Sequence, residues 1–265
     1  MRYLLSRACR PTLESLAQSR TLCAFDFDGT LAPITAHPDE AGMRPQTRQL
    51  LSRLTELYPC VILSGRSGQD LLKMLQDVRV ERAIGNHGAD MDGAGSEAAR
   101  RQVEEWITIL TPRLETLPGV WVEDKGLSLA VHYRQSPRKA EARKRITEAS
   151  ASLRQARVYG GKQVVNLVVV GAPHKGKALE AERDRLGCDW AIYVGDDDND
   201  EDAFAVTGNV VGVRVGRKES SHARYYLRSQ AEIDDLLGSL ISLRIAAGMA
   251  GGRIGEPADV QEHRD

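Results

Sequence analysis

Two carboxylates two residues apart, Asp26 and Asp28, follow directly on the apolar run Leu22-Cys23-Ala24-Phe25 and precede Gly29-Thr30. In an open parallel α/β sheet, ligands bind in the crevice beyond the carboxyl ends of the strands, so a strand that ends in acids and a glycine is a candidate active-site edge. Alone, Asp-x-Asp-Gly reads first as a capped surface turn. Two later apolar runs change that reading. Cys60-Val61-Ile62-Leu63 ends in Ser64-Gly65-Arg66, and Ala191-Ile192-Tyr193-Val194 ends in Gly195-Asp196-Asp197-Asp198-Asn199-Asp200, with Lys175 at a helix start between them. Carboxylates gathered at one edge repel unless a cation joins them. Mg²⁺ suits the task because it takes one or two protein carboxylates together with waters and phosphate oxygens. Ser64 and Lys175 can donate to the remaining phosphate oxygens, one Asp can attack phosphorus, and the other can serve as general acid and then base. The acidic run after Gly195 lacks the spacing and the glycine of an EF-hand calcium loop.

The elements that must position these groups follow from the periodicity. Residues 1–20 read as a helical lead-in interrupted at Pro11. A strand covers 22–26, a breaker-rich loop 32–44, and a helix starting at Pro45 carries Leu50, Leu51, Leu54 and Leu57 at helical spacing. Ser67-Gly68-Gln69-Asp70 opens a further helix as a capping box. From Ser96 the texture changes. A helix with Val103, Trp106, Ile107 and Leu110 on one face and a kink expected at Pro112 leads to Val120–Lys125, and then Leu127, Leu129, Val131 and Tyr133 alternate with Ser128, Ala130 and His132. A polar helix and a hairpin about Gly160-Gly161 complete the segment. Helix, two strands, helix, two strands is the order of a small antiparallel sheet with two helices on one face. The expectation is therefore an α/β protein: a doubly wound parallel-sheet core at 1–95 and 171–247, and an inserted α/β cap domain at 96–170. The tail 248–265 has no apolar period and is expected to be disordered. Trp106 and Trp121 are both assigned to the cap core.

A formal net charge of -1 with 28% charged residues offers no basic excess for nucleic acid or an anionic membrane, and no run approaches the length of a membrane span. Cys9, Cys23, Cys60 and Cys188 show no CxxC spacing and are expected as reduced core thiols. With no apolar signal segment in the first twenty residues, the expected setting is cytoplasmic, and the expected state is a monomer or weak dimer.

Asp26-Phe-Asp28-Gly-Thr, Ser64-Gly-Arg, Lys175-Gly and Gly195-Asp196-Asp197, in that order, resemble the four motifs of the haloacid dehalogenase superfamily of phosphatases. More narrowly, DFDGTLAPI, SGRS, GNHGAD, VEDKGLSLAVHYR, HKGKAL and GDDDNDEDAF resemble trehalose-6-phosphate phosphatases. The resemblance implies a Rossmann-like core of the haloacid dehalogenase type. It implies Asp26 as nucleophile, Asp28 as acid/base, and Ser64 and Lys175 on the phosphoryl group. Mg²⁺ would be held by Asp26, the Asp28 carbonyl and Asp196, with support from Asp197 and Asp200. Gly65, Arg66, His87, Glu123 and Lys125 are the candidate contacts to a sugar phosphate. Glu123 and Lys125, two apart on a strand, share a face; without the resemblance they would be a solvated ion pair. Asn199 stands where the family usually has Thr, and Asn166-Leu-Val-Val replaces a more common acidic-Val-Arg-Pro run. The implied reaction is hydrolysis of trehalose 6-phosphate. Sucrose 6-phosphate or glucosylglycerol phosphate as substrate, a sugar phosphomutase, and a non-catalytic sensor of sugar phosphates are the alternatives.

Overall fold

The computed structural model describes residues 1–35, 40–92, 97–161 and 163–248. The disorder expected of the tail therefore lies, from residue 249 on, outside the described residues. Strand β2 (Thr21–Phe25) is buried at every position and sits near the middle of a seven-stranded, wholly parallel sheet. On one side lie β3 (Cys60–Leu63) and β4 (Arg82–Ile84). On the other lie β9 (Trp190–Gly195), β10 (Val210–Val215), β11 (Tyr225–Leu227) and β1 (Arg2–Tyr3). The chain leaves β2 in one direction and comes back on its other side at β9, so the topological switch point lies between them. That is the place where a doubly wound sheet opens a crevice at its strand ends.

Helices cover both faces, which is why β2 and its neighbours are continuous apolar runs rather than alternating ones. Cys23, Phe25, Ile62 and Val194 pack against α1 (Arg10–Gln18), α2 (Pro45–Thr55), α3 (Gly68–Leu75) and α8 (Ile233–Ala246). Leu22, Ala24, Leu63 and Tyr193 pack against α6 (Lys175–Arg185) and α7 (Glu201–Phe204). Pro45 occupies the first turn of α2, where a missing N–H costs nothing. The Ser67 hydroxyl accepts the Asp70 N–H at 3.2 Å to cap α3.

Between β4 and α6, α4 (Glu97–Leu114) and α5 (Lys139–Ala151) back a four-stranded antiparallel sheet. Its order is β5 (Trp121–Asp124), β6 (Ser128–His132), β8 (Val164–Val169) and β7 (Ala156–Gly160). Leu129, Val131, Val165 and Leu167 face the two helices and form a separate core around Trp106. The opposite face is turned to the parallel sheet.

Three local expectations are corrected. Pro11 lies in the first turn of α1 and does not interrupt it, and residues 2–3 form an edge strand. That strand and β11 are too short to carry a period of their own. α4 runs on to Leu114 with Pro112 inside its last turn, where few residues follow to be displaced. Trp121 is 43% exposed, unlike the fully buried Trp106. All four cysteines are buried free thiols. Among the described residues no helix is long and apolar enough to cross a membrane.

Candidate active site

Asp26 is the first residue beyond β2, and its N–H donates to the Val194 carbonyl at 2.8 Å, which ties the end of β2 to the end of β9. Asp26, Asp196 and Asp200 bring one carboxylate oxygen each within 4.8 Å of one another, and all three are buried. Lys175, the first residue of α6, reaches into this group. Its Nζ donates to Asp26 Oδ1 at 2.8 Å and to Asp200 Oδ1 at 2.6 Å. Burial disfavours the ammonium, yet the Asp200 and Asp26 carboxylates outweigh it and raise the lysine's proton affinity above its ordinary value. Asp26 is driven the other way. Burial, helped by Asp200 and Asp196 and opposed by Lys175, holds its carboxyl well above the usual range.

Three carboxylates face one ammonium, so with all of them ionised the cluster would lack two positive charges. An all-oxygen donor set with that deficit fits a hard divalent cation. The three acids are not equivalent in this respect. Asp200 accepts Lys175 and the Tyr193 hydroxyl (2.6 Å) on Oδ1, and the N–H groups of Asp196 and Asp197 (2.8 Å each) on Oδ2. It is the post around which the loop after β9 is wound. The Asp28 and Asp197 carboxylates lie outside the three-acid group.

Asp28 is held in a two-pronged ion pair by Arg66, with Nε to Oδ2 at 2.6 Å and Nη2 to Oδ1 at 2.7 Å. Gly29, at φ +86°, permits the turn and a close approach, since a Cβ there would lie 2.2 Å from Asp196 Oδ2. The loops after β3 and β4 are sewn together: His87 N–H donates to Ser64 O (2.9 Å) and Asn86 N–H to Arg66 O (2.7 Å). This places Ser64 beside the acids and stacks the His87 ring against Gly65, where a Cβ would meet His87 Cε1 at 2.5 Å. His87 is buried in a left-handed conformation, φ 60°, with the Asn166 side chain beside its ring. Burial, Lys125 and Lys175 all favour its neutral form, well below the ordinary histidine range.

The antiparallel sheet supplies the roof. Its register aligns Glu123, Ala130, Asn166 and Tyr159 in one row across the four strands, on the face toward the acids. Lys125 Nζ donates to the Gly65 carbonyl at 2.9 Å, and Ser128 Oγ to Asn86 Oδ1 at 2.7 Å. Burial raises Glu123, but its 2.7 Å contact with His132 Nε2 and the nearby Lys125 prevail, leaving its carboxyl below the usual range. His132 in turn stacks on Trp121 with centroids 4.0 Å apart.

A cavity of about 190 Å³ lies between the two sheets. Of the residues singled out in the sequence, Asp26, Asp28, Ser64, Gly65, Arg66, His87, Glu123, Lys125, Asp196 and Asp197 line it, while Lys175 and Asp200 stand behind Asp26. Trp121, His132, Arg134 and Asn166 also line it, and the sequence reading missed them as site residues. The alternation in β6 separated His132 from the core positions. It contained no sign of which face would meet the acids.

The parallel sheet with its inserted antiparallel sheet defines a fold class, that of the phosphatases of the haloalkanoate (HAD) enzyme superfamily, one of which superimposes with a TM-score of 0.52 at 15% identity. Within that class, residues 24–231 match the family model described as Trehalose-phosphatase, and the chain belongs to that family. It is 31% identical over 263 residues to a trehalose 6-phosphate phosphatase of Zea mays, covering 87% of this chain and 72% of the maize protein. It is 34% identical over 255 residues to a trehalose-phosphate phosphatase of Mycobacterium marinum, covering 86% of this chain but only 63% of that protein. A crystal structure of a trehalose-6-phosphate phosphatase related protein superimposes with a TM-score of 0.67 at 26% identity, over 85% of this chain and 99% of that one.

Proposed function

We propose that this chain hydrolyses trehalose 6-phosphate to trehalose and phosphate with Mg²⁺, through an aspartyl-phosphate on Asp26. The observation that carries the reading is the buried Asp26–Lys175–Asp200 arrangement at the switch point, in a cavity roofed by Glu123 and Lys125. A carboxylate of Asp26 attacks phosphorus as the bond to the sugar oxygen breaks. Asp28 gives its proton to that leaving oxygen, and then takes one from the water that attacks the acyl phosphate and releases phosphate. Lys175 orients Asp26 and offsets charge, Ser64 donates to a phosphoryl oxygen, and Arg66 holds Asp28 in place. Asp26 and Asp196, with the Asp28 carbonyl, would hold Mg²⁺, and Asp200 fixes the loop from behind because its own oxygens are already engaged. Asp197 supports the same loop. Bound there, Mg²⁺ supplies the positive charge the three acids lack and polarises the phosphate. Glu123, Lys125, Gly65 and the neutral His87 supply sugar and phosphate contacts, and closure of the cap excludes water. A cytoplasmic enzyme, as monomer or weak dimer, fits this chemistry.

One observation favours a second reading within the same chemistry. Asn166, a neutral amide where the family usually has an acid, faces the cavity, so another sugar phosphate such as sucrose 6-phosphate or glucosylglycerol phosphate is the competing substrate. Phosphate release from a panel of sugar phosphates, with Mg²⁺ and with chelator, decides. Trehalose 6-phosphate should give the highest kcat/KM, chelator should abolish turnover, and Asp26→Asn should be inactive though folded. A better sugar on the panel would replace the substrate, and substantial turnover by Asp26→Asn would remove the nucleophile assignment.

A further inference from the structure

Two side chains of cap strand β7 meet one core carboxylate outside the cavity. Asp202, in α7, accepts Arg157 Nη2 on Oδ1 at 2.6 Å and the Tyr159 hydroxyl on Oδ2 at 2.7 Å. The Arg157 guanidinium lies 4.6 Å from the centroid of the Tyr159 ring, so the two donors brace each other, and that ring stacks on His87 with centroids 5.8 Å apart. On its other side Asp202 touches the helix that carries Lys175. A Cβ on Gly176 would sit 2.3 Å from the Asp202 carbonyl oxygen, so only glycine lets α6 pack this closely on it. Asp202 is also two residues beyond Asp200, which binds Lys175. None of Asp202, Arg157 and Tyr159 lines the cavity.

We infer that Asp202 is a positioning residue that docks the cap. Its paired bonds to Arg157 and Tyr159 hold the row Glu123–Ala130–Asn166–Tyr159 over Asp26 before any substrate contact is made. Arg157 is 44% exposed, and an exposed ion pair alone contributes little. Two donors on one carboxylate, one of them a partly buried hydroxyl, form a stronger unit. The contact then sets the fraction of molecules competent to bind, and apparent affinity scales with that fraction. The inference rests on the reading of this sheet as the cover for a sugar phosphate.

The test uses the full chain with Mg²⁺ and compares Asp202→Asn, Tyr159→Phe, Arg157→Gln and the double variants. KM and kcat are measured on trehalose 6-phosphate and on p-nitrophenyl phosphate, which is too small to need the cap. Backbone hydrogen exchange in β6 and β7 is measured without substrate. Asp202→Asn should raise KM for the sugar phosphate about tenfold, the scale of one charged hydrogen bond, with kcat nearly unchanged. Hydrolysis of p-nitrophenyl phosphate should be unaffected. The cap-side variants should act in the same direction and be non-additive with Asp202→Asn, and exchange in the cap strands should accelerate. A parallel loss on both substrates, additive effects, or unchanged KM and exchange would overturn the inference. If Asp202→Asn fails to fold, the two cap-side variants carry the same expectations. If wild type turns over no sugar phosphate, the proposed function fails, while the exchange measurement still decides the docking role.

Discussion

At the scale of single residues, burial determines what each titratable group can do. Lys175 and Asp26 are both removed from water; Lys175 keeps its charge through Asp200 and Asp26, while on Asp26 burial and the neighbouring carboxylates oppose the charge and Lys175 favours it. His87 has the neutral Asn166 side chain beside it. It sits neutral between Lys125 and Lys175, while in the unfolded chain it would take up a proton near pH 6.5. Its folded-state proton affinity is the lower of the two. The unfolded state therefore gains a proton as pH falls through that value, and stability present above pH 6.5 is lost below it. The slope reaches about 1.4 kcal/mol per pH unit for one group. His87→Asn removes the titration and keeps a residue that tolerates the left-handed backbone. Urea unfolding at pH 7.5 and 5.5 should show a smaller acid loss in His87→Asn than in the wild type. Equal losses would mean that His87 is protonated in the folded protein.

At the scale of elements, the strand ends act as clamps. The loop after β9 winds around Asp200 so tightly that a Cβ on Gly195 would lie 2.4 Å from the Asp200 Cγ. Gly195→Ala must move that carboxylate, and with it Lys175 and the Asp196 backbone it holds. A displacement of about 1 Å at such a site can cost about a hundredfold in rate. The expected result is a fall of at least about tenfold in kcat/KM and a smaller rise in Tm on adding Mg²⁺, read by thermal melting with and without the metal. A variant that retains both would show that Asp200 does not organise the loop. Much of this was legible beforehand, because three apolar runs that end in polar residues announce strand ends. The short strands β1 and β11 were not, since two or three residues carry no period and pair only because the sheet edge is already there.

At the scale of the whole molecule, the cap has a hydrophobic core separate from the two on the faces of the parallel sheet. Trp106 is the centre of the cap core, packed among residues of α4, α5, β6 and β8, with Nε1 donating to the Arg154 carbonyl at 3.1 Å. Trp106→Ala should cost about 3 to 5 kcal/mol, the range for truncating a buried aromatic. Because that core shares no buried side chain with the parallel sheet, the loss should be confined to 97–169. Hydrogen exchange should speed up in β6 and β8 and stay unchanged in β2 and β9. Equal acceleration in all four would mean that cap and core unfold as one unit.

The order of the motifs, the doubly wound core, the inserted antiparallel sheet and the carboxylates at the strand ends could all be read from the chain, because each depends on local period and on residues adjacent in sequence. The pairing of Arg66 with Asp28 across 38 positions, the bonding of Asp200 from four directions and the exposure of Trp121 at the cavity mouth could not. Nor could the meeting of Arg157, Tyr159 and Asp202. Each of those depends on which face of one sheet is laid against the end of another. That is decided by long-range packing, which leaves no periodic trace in either segment.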